Sequence, residues 1–228
     1  MSSGKPSIAV IGGSGDLGSG LALRWAIAGY PIIIGSRAQD SADRAADRLR
    51  AMAPDAELSG LPNAEAAGAA DIVALTVPYA NHGPMLEIIK QGVQGKIMID
   101  VTVPLIPPKV RTVHLPPEGS TAKAAQTFLG EDVRVVSAFQ NVAAKHLQDL
   151  DHDIDCDVLV CGNDPDAREQ VVQLATDAGM KAWHAGQIAN SVVAEALTSV
   201  LIFINGRHKI DGAGIRISGN PRQGEEQA

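Results

Sequence analysis

The chain has 228 residues, 45% of them hydrophobic and 3% aromatic, and carries a net charge of −7. That is enough for one sizeable core, or for a large domain with a small appendage. The acidic balance and scarce aromatic rings argue against nucleic-acid binding, and no apolar run reaches the ~18 residues that would span a membrane. The opening residues, Met1 to Ser7, are polar and lead straight into a strand-like run, so no secretory signal is expected. Cys156 and Cys161 lie five apart and form no C-x-x-C motif. On a strand that odd offset points them to opposite faces, and a reduced, cytoplasmic setting is expected.

Strand and helix signals alternate along the chain, the pattern of an α/β, Rossmann-type doubly wound parallel sheet. Ser7 to Ile11 reads as the first strand, Asp16 to Ala28 as a helix stopped by Gly29, and Pro31 to Gly35 as the second strand. Ser41 to Met52 is helical. Asp71 to Val77 is an unbroken apolar strand closed by Pro78, as suits a strand buried on both faces. His82 to Gln91 is the next helix and Lys96 to Asp100 the next strand. Val101 to Pro117 holds five prolines and reads as a loop. A helix over Ser120 to Leu129, a strand over Arg134 to Ser137 and a strand over Asp157 to Cys161 follow. Asp166 to Ala178 reads as a helix and Lys181 to His184 as a strand. Ile188 to Asn205 is a helix with one charge, Glu195, apolar nearly all round and therefore expected to be buried. The polar tail beyond Arg222 is expected to fray. The acidic stretch near Asp151 is the expected boundary between residues 1–150, a nucleotide-binding domain, and residues 151–228, a smaller C-terminal α/β region.

Gly13-Ser14-Gly15-Asp16-Leu17-Gly18 is a G-x-G-x-x-G placed after an apolar strand and at the mouth of a helix. In that context Gly13 is expected to allow the tight turn, Gly15 to let bare backbone approach a pyrophosphate, and Gly18 to let helix and strand pack closely. The helix N-terminus then offers free N–H groups and partial positive charge. Ser19 after Gly18 excludes a Walker A loop, and Asp16 excludes a hydrolase elbow. The second strand ends in Gly35-Ser36-Arg37 rather than in the acid that binds a ribose 2′-hydroxyl. A hydroxyl and a guanidinium suit a 2′-phosphate, so NADP(H) is expected over NAD(H).

Other signals are weaker. The alternating Asp149, Asp151, Asp153, Asp155 and Asp157 invite a metal, but an EF-hand would need Gly and Glu where Ile154 and Val160 stand, so a solvated acidic loop and no metal site are expected. His82, His146 and His184 read as surface or helix-end residues, and Glu195 as a capping or interface carboxylate.

Several segments together resemble the NADPH-dependent F420 reductases, also called F420:NADP oxidoreductases. They are Ile11 to Gly18, Gly35-Ser36-Arg37, Leu75-Thr76-Val77-Pro78, Val103-Pro104-Leu105, Val136 to Val142, Asp157 to Gly162, and Gly212-Ala213-Gly214-Ile215-Arg216-Ile217. The resemblance implies hydride transfer between NADP(H) and the deazaflavin coenzyme F420. It places Ser14, Asp16 and Leu17 at the pyrophosphate and Ser36 and Arg37 at the 2′-phosphate. Val77, Pro78, Asn81 and Val103 would line the cofactor cleft. Phe139 to Ala144, thus Asn141, Val142, Ala143 and Ala144, would shape the nicotinamide–deazaflavin pocket with Ala213 and Gly214. Asn141 would offer both a donor and an acceptor to the ring. The chain departs at Ser41, where some relatives carry Lys, which is expected to weaken NADP affinity. It departs again at Gln140 and Ala143, where some carry His-x-x-Pro. No catalytic residue is named, because the two cofactors carry the chemistry. The C-terminal region would complete the acceptor pocket and supply the contact of a homodimer. A reductase of another acceptor (a flavin, ferric chelate or imine) and a non-catalytic NADP-sensing protein are the alternatives.

Overall fold

In the computed structural model, which describes residues 4–219, the first apolar run forms β1 (Ile8–Ile11), buried at every residue. A strand with no polar alternation must be covered on both faces, so it sits inside the sheet. It pairs in parallel with β2 (Ile32–Ser36) and β4 (Ile72–Leu75). Along β1, Ile8 and Val10 join one apolar cluster and Ala9 and Ile11 the other, as the period of two requires. β3 (Leu58–Pro62) flanks β2, β5 (Ile97–Asp100) flanks β4, and β6 (Arg134–Ser137) flanks β5, all in parallel. β7 (Asp157–Gly162) is antiparallel to β6, and β8 (Lys181–His184) runs parallel to β7. The order is β3-β2-β1-β4-β5-β6-β7-β8. The expected Rossmann-type sheet is thus present, with one reversal of strand direction at β7. The order turns back between β1 and β4, and ligands of such sheets seat at that switch point, beyond the carboxyl ends of the strands.

The helices are α1 (Asp16–Ile27), α2 (Gln39–Met52), α3 (Asn63–Ala69), α4 (His82–Ile89), α5 (Thr121–Leu129), α6 (Ala144–Gln148), α7 (Pro165–Asp177) and α8 (Ser191–His208). Trp25 of α1 is fully buried, donates its indole N–H to the Leu174 carbonyl at 2.9 Å, and meets Phe139 edge-on at 5.8 Å. Arg24, one residue earlier, spreads its guanidinium over the carbonyls of Leu147, Ala178, His146, Asp149 and His152, at 2.8–3.3 Å. The loop after α6 has little regular structure, and this fork satisfies its inward-facing backbone acceptors.

Two sequence expectations need correction here. The last helix begins at Ser191 after a single turn over Ile188–Asn190, and it is not buried all round. Ser191, Ala194, Glu195, Ser199 and Leu201 face inward, while Val193, Val200 and Phe203 are 58%, 44% and 53% exposed. By length and composition Ile188–His208 could also cross a membrane, contrary to the reading of the apolar runs. Its inward face instead packs on α5 and β7. The tail beyond Arg222 lies outside the described residues.

Candidate functional site

The chain leaves β1 at Gly12, whose φ of +80° makes the turn. The turning glycine is therefore Gly12, not Gly13. Gly13 has another reason to lack a side chain: a Cβ there would lie 2.8 Å from the Val10 carbonyl and 3.3 Å from Ile34. Gly15 is the N-cap of α1 at φ −83°, with no side-chain cap. A Cβ on it would meet only the Gly12 carbonyl, at 3.5 Å, so its outer side is open. Without a cap, the first-turn N–H groups of Asp16, Leu17 and Gly18 have no intrahelical acceptor and are free for an anion. Ser14, Gly15 and Asp16 are exposed on that rim. Gly18 fulfils its packing role: a Cβ would stand 2.5 Å from Thr76 Oγ1 and 2.9 Å from the Gly13 Cα.

At the end of β2, Ser36 is buried and Arg37 exposed. Ser41, in the first turn of α2, accepts a hydrogen bond from the Arg44 guanidinium at 3.1 Å. Arg44, which the sequence reading overlooked, brings a second cation to this corner. Its signal was available, since three residues along a helix is one turn.

Val77 and Pro78 follow β4, Asn81 precedes α4, and Val103 follows β5, so all four lie at the carboxyl edge of the sheet beside the glycine loop. Immediately behind them is a buried polar array that sequence reasoning missed. His82 is not a surface residue; it is 5% exposed and its Nε2 lies 2.7 Å from Asp100 Oδ2. Asp100 Oδ1 accepts the Thr102 N–H at 3.0 Å, and the Asp100 carbonyl accepts Gln140 Nε2 at 2.8 Å. Thr121 donates its hydroxyl to the Thr102 carbonyl at 2.8 Å. Glu195 accepts the N–H groups of Thr121 and Ala122 at 2.7 and 3.1 Å, capping α5 from α8. Burial pushes the Glu195 carboxyl up to about 7, against the pull of the Thr121 N–H. Burial opposes charge on His82, but the Asp100 and Glu195 carboxylates outweigh it and raise its pKa. Of the two other histidines singled out in the sequence, His146 stacks on His152 at 3.9 Å and His184 bonds Glu169 at 2.8 Å.

Beyond β6 the backbone is held in the left-handed region at Phe139, φ 72°, a conformation costly for a bulky residue. That turn sends Gln140 and Asn141 into a cavity of about 90 Å³, also lined by Val142, Ala143, Thr198, Leu201, Ile202, Asn205 and Ala213. Ala144 opens α6 next to it. The structure thus gathers Asn141, Val142, Ala143 and Ala213 around one cavity. It corrects one role: Asn141 Nδ2 already donates to the Asp157 carbonyl at 2.9 Å and contacts Cys156 Sγ at 3.0 Å, so the side chain is left with an acceptor alone. A larger cavity of about 440 Å³, lined by Tyr30, Ala53 and Glu57 among others, lies at the opposite edge, where the strands begin.

Residues 7–104 match the family described as NADP oxidoreductase, coenzyme F420-dependent. The chain is 42% identical over 219 residues to the F420-dependent NADP reductase of Methanocaldococcus jannaschii, covering 92% of this chain and 97% of that protein. It is 41% identical to the F420-dependent NADP reductase of Methanothermobacter thermautotrophicus, over 95% of this chain and 96% of that one. A crystal structure of a putative F420-dependent NADP reductase from Arthrobacter sp. FB24 shares the fold, with a TM-score of 0.77, 22% identity, 94% of this chain and all of that one covered. Identity at this level over nearly the whole length leaves one conclusion: the chain belongs to the F420-dependent NADP reductase family.

Proposed function

We propose that this protein transfers a hydride between NADP(H) and coenzyme F420, at the carboxyl edge of the sheet between the glycine loop and the cavity beyond β6. The observation that carries the reading is the placement of both halves of such a site on one sheet edge. One half is an uncapped helix N-terminus beside an acid-free strand end, and the other is a polar cavity facing α8. NADPH supplies the hydride and the deazaflavin ring takes it up together with a proton, so the protein needs no nucleophile.

The residues present suit both substrates. Ser14, Gly15 and the free N–H groups of Asp16, Leu17 and Gly18 would hold the pyrophosphate, with Gly13 and Gly18 keeping that loop tight against β1 and β4. Ser36 and Arg37 would hold the 2′-phosphate, and Arg44 offsets the loss of a cation at Ser41. Val77, Pro78, Asn81 and Val103 would flank the nicotinamide and exclude water. Asn141, Val142, Ala143, Ala144 and Ala213 would shape the acceptor side, which makes residues 151–228 a region that completes the pocket begun by residues 1–150. The exposed apolar face of α8 supports a homodimer rather than a membrane contact. The free thiols of Cys156 and Cys161 support a cytoplasmic setting.

The deciding experiment is an anaerobic incubation of the protein with NADPH and F420, followed at the visible band of the deazaflavin. Bleaching is expected. NADPH oxidation only with a flavin, ferric chelate or imine would move the reading to another acceptor, and binding without turnover on any of them would leave an NADP-sensing protein.

A further inference from the structure

Asp100, the last residue of β5, is fully buried, and the His82 ring that meets it at 2.7 Å belongs to the first residue of α4. Of the ion pairs among the described residues, only this one has both side chains buried. A carboxylate taken out of water needs a counter-charge, and an imidazole supplies one only when both of its nitrogens carry protons. Glu195, the second carboxylate of the array, has its own donors in the Thr121 and Ala122 N–H groups at the start of α5, so Asp100 is left to His82. The far side of the Asp100 carboxylate holds backbone. Its Oδ1 accepts the Thr102 N–H at 3.0 Å, a turn that bends the chain as it leaves β5. The Val101 N–H donates to the Leu75 carbonyl at 3.1 Å, and the Thr102 carbonyl accepts the Thr121 hydroxyl at 2.8 Å. Val103 is the next residue along. A charge on α4 is thereby linked, through one carboxylate and one turn, to a residue of the cofactor cleft.

We infer that His82 is a positioning residue for the nicotinamide: as an imidazolium it holds the Asp100 carboxylate, and through it the turn that sets Val103 against the ring. The inference rests on the nicotinamide placement proposed above. His82 acts through Asp100 and the Thr102 N–H rather than by touching the reacting atoms. Burial disfavours charge on its ring, but the carboxylates that act on it, Asp100 on β5 and Glu195 on α8, outweigh burial and raise its pKa. Loss of the proton as pH rises removes the counter-charge while Asp100 stays buried. A carboxylate stranded in this way is costly, and the turn it holds is where the structure can give. Hydride transfer is steep in geometry: a misplacement of about 1 Å costs on the order of a hundredfold in rate.

The test is single-turnover hydride transfer from NADPH to F420 in the full chain, parent against His82→Gln, between about pH 6 and about pH 9. The pH dependence of the two substrates cancels in the parent-to-variant rate ratio. That ratio should be about tenfold or more at the acid end. It should fall toward one as pH rises through the raised pKa of His82, where the parent loses a charge the variant never had. In a Glu195→Gln background the fall should come at lower pH, because one of the two carboxylates that favour the imidazolium is gone. Ring-nitrogen NMR shifts of His82 should show both nitrogens protonated on the acid side of the same midpoint. The double variant His82→Gln, Asp100→Asn needs no counter-charge and should recover most of the acid-end rate. 2′-Phospho-ADP-ribose, which is NADP without its nicotinamide, should bind the parent and the double variant equally. A ratio of one throughout, a ratio that does not change with pH, a His82 ring that stays neutral, or weaker binding of the analogue by the double variant overturns the inference. If the parent transfers no hydride from NADPH to F420 at any pH, the reaction itself falls, and the inference with it.

Discussion

Thr76 Oγ1 occupies the space a side chain on Gly18 would need, 2.5 Å from where its Cβ would sit, while nothing but the Gly12 carbonyl, at 3.5 Å, approaches the corresponding point on Gly15. Two glycines of one motif therefore do different work. Gly15→Val should abolish NADPH binding in titration while leaving the melting temperature near that of the parent, because φ at Gly15, −83°, suits any residue. Gly18→Ala should lower the melting temperature by several degrees, since the displaced atoms include the Gly13 backbone. Intact nucleotide binding in Gly15→Val would show that the pyrophosphate does not approach this backbone.

Arg37 is exposed, and Ser36 beside it carries no charge. Removing one charge-assisted contact to a phosphate costs roughly 1.5–3 kcal/mol. Arg37→Ala should accordingly weaken NADPH binding about tenfold or more and leave NADH binding nearly unchanged. Equal losses for the two nucleotides in calorimetry would remove the 2′-phosphate from this corner.

The Glu195 carboxyl is raised from 4.5 to about 7, chiefly by burial, and the His82 imidazole is also raised, burial being outweighed by Asp100 and Glu195. Both folded values lie above the unfolded ones. Each group's contribution is therefore fully present below its unfolded pKa and is lost as pH rises through its folded pKa. Melting temperature should fall between about pH 5 and about pH 8, with Glu195 accounting for on the order of 3 kcal/mol of that change. Glu195→Gln, which cannot ionise, should flatten the slope over this interval. An unchanged slope in thermal melts of the variant would mean that Glu195 is ionised throughout.

Val193, Val200 and Phe203 share one face of α8 at spacings of seven and three residues, and all three are exposed. A dimer contact there should be broken by Phe203→Glu, which would bury a charge without a partner. Light scattering at micromolar concentration should report twice the chain mass for the parent protein and the single-chain mass for the variant. A monomeric parent would assign this face to some other role.

The central strands were plain in the sequence because β1 and β4, buried on both faces, are apolar at every residue, and β5 is apolar up to its last residue, Asp100. β3 was not. Leu58–Pro62 is an edge strand whose Ser59, Gly60 and Pro62 are poor strand formers. α3 and α6, with seven and five residues, are too short for a helical period to declare itself. The reversed direction of β7 has no local signature, since a strand's residues look alike whichever way it runs. At the site, the glycine loop was legible because its chemistry is contiguous, though the residue that makes the turn, Gly12, was misassigned to its neighbour. The buried array joins His82 to Asp100 across 18 positions, and Glu195 to Thr121 and Ala122 across 74 and 73.

Arg24 gives the molecule an unusual division of labour. A planar cation with five donors takes the place of a sheet or helix in ordering the segment around His146 and His152. Gln148, from the same segment, reaches back to the Asp16 carbonyl at 2.9 Å. One rod, α1, therefore carries at its mouth the N–H groups proposed for the phosphates and along its side the guanidinium that holds the segment around α6. A lysine at position 24 would keep the charge but lose the planar fork, and slack in that fastening would spread to the acceptor side while the nucleotide grip stayed sound. In the proposed site a side chain thus does the scaffolding between the nucleotide half and the acceptor half that regular secondary structure would otherwise do.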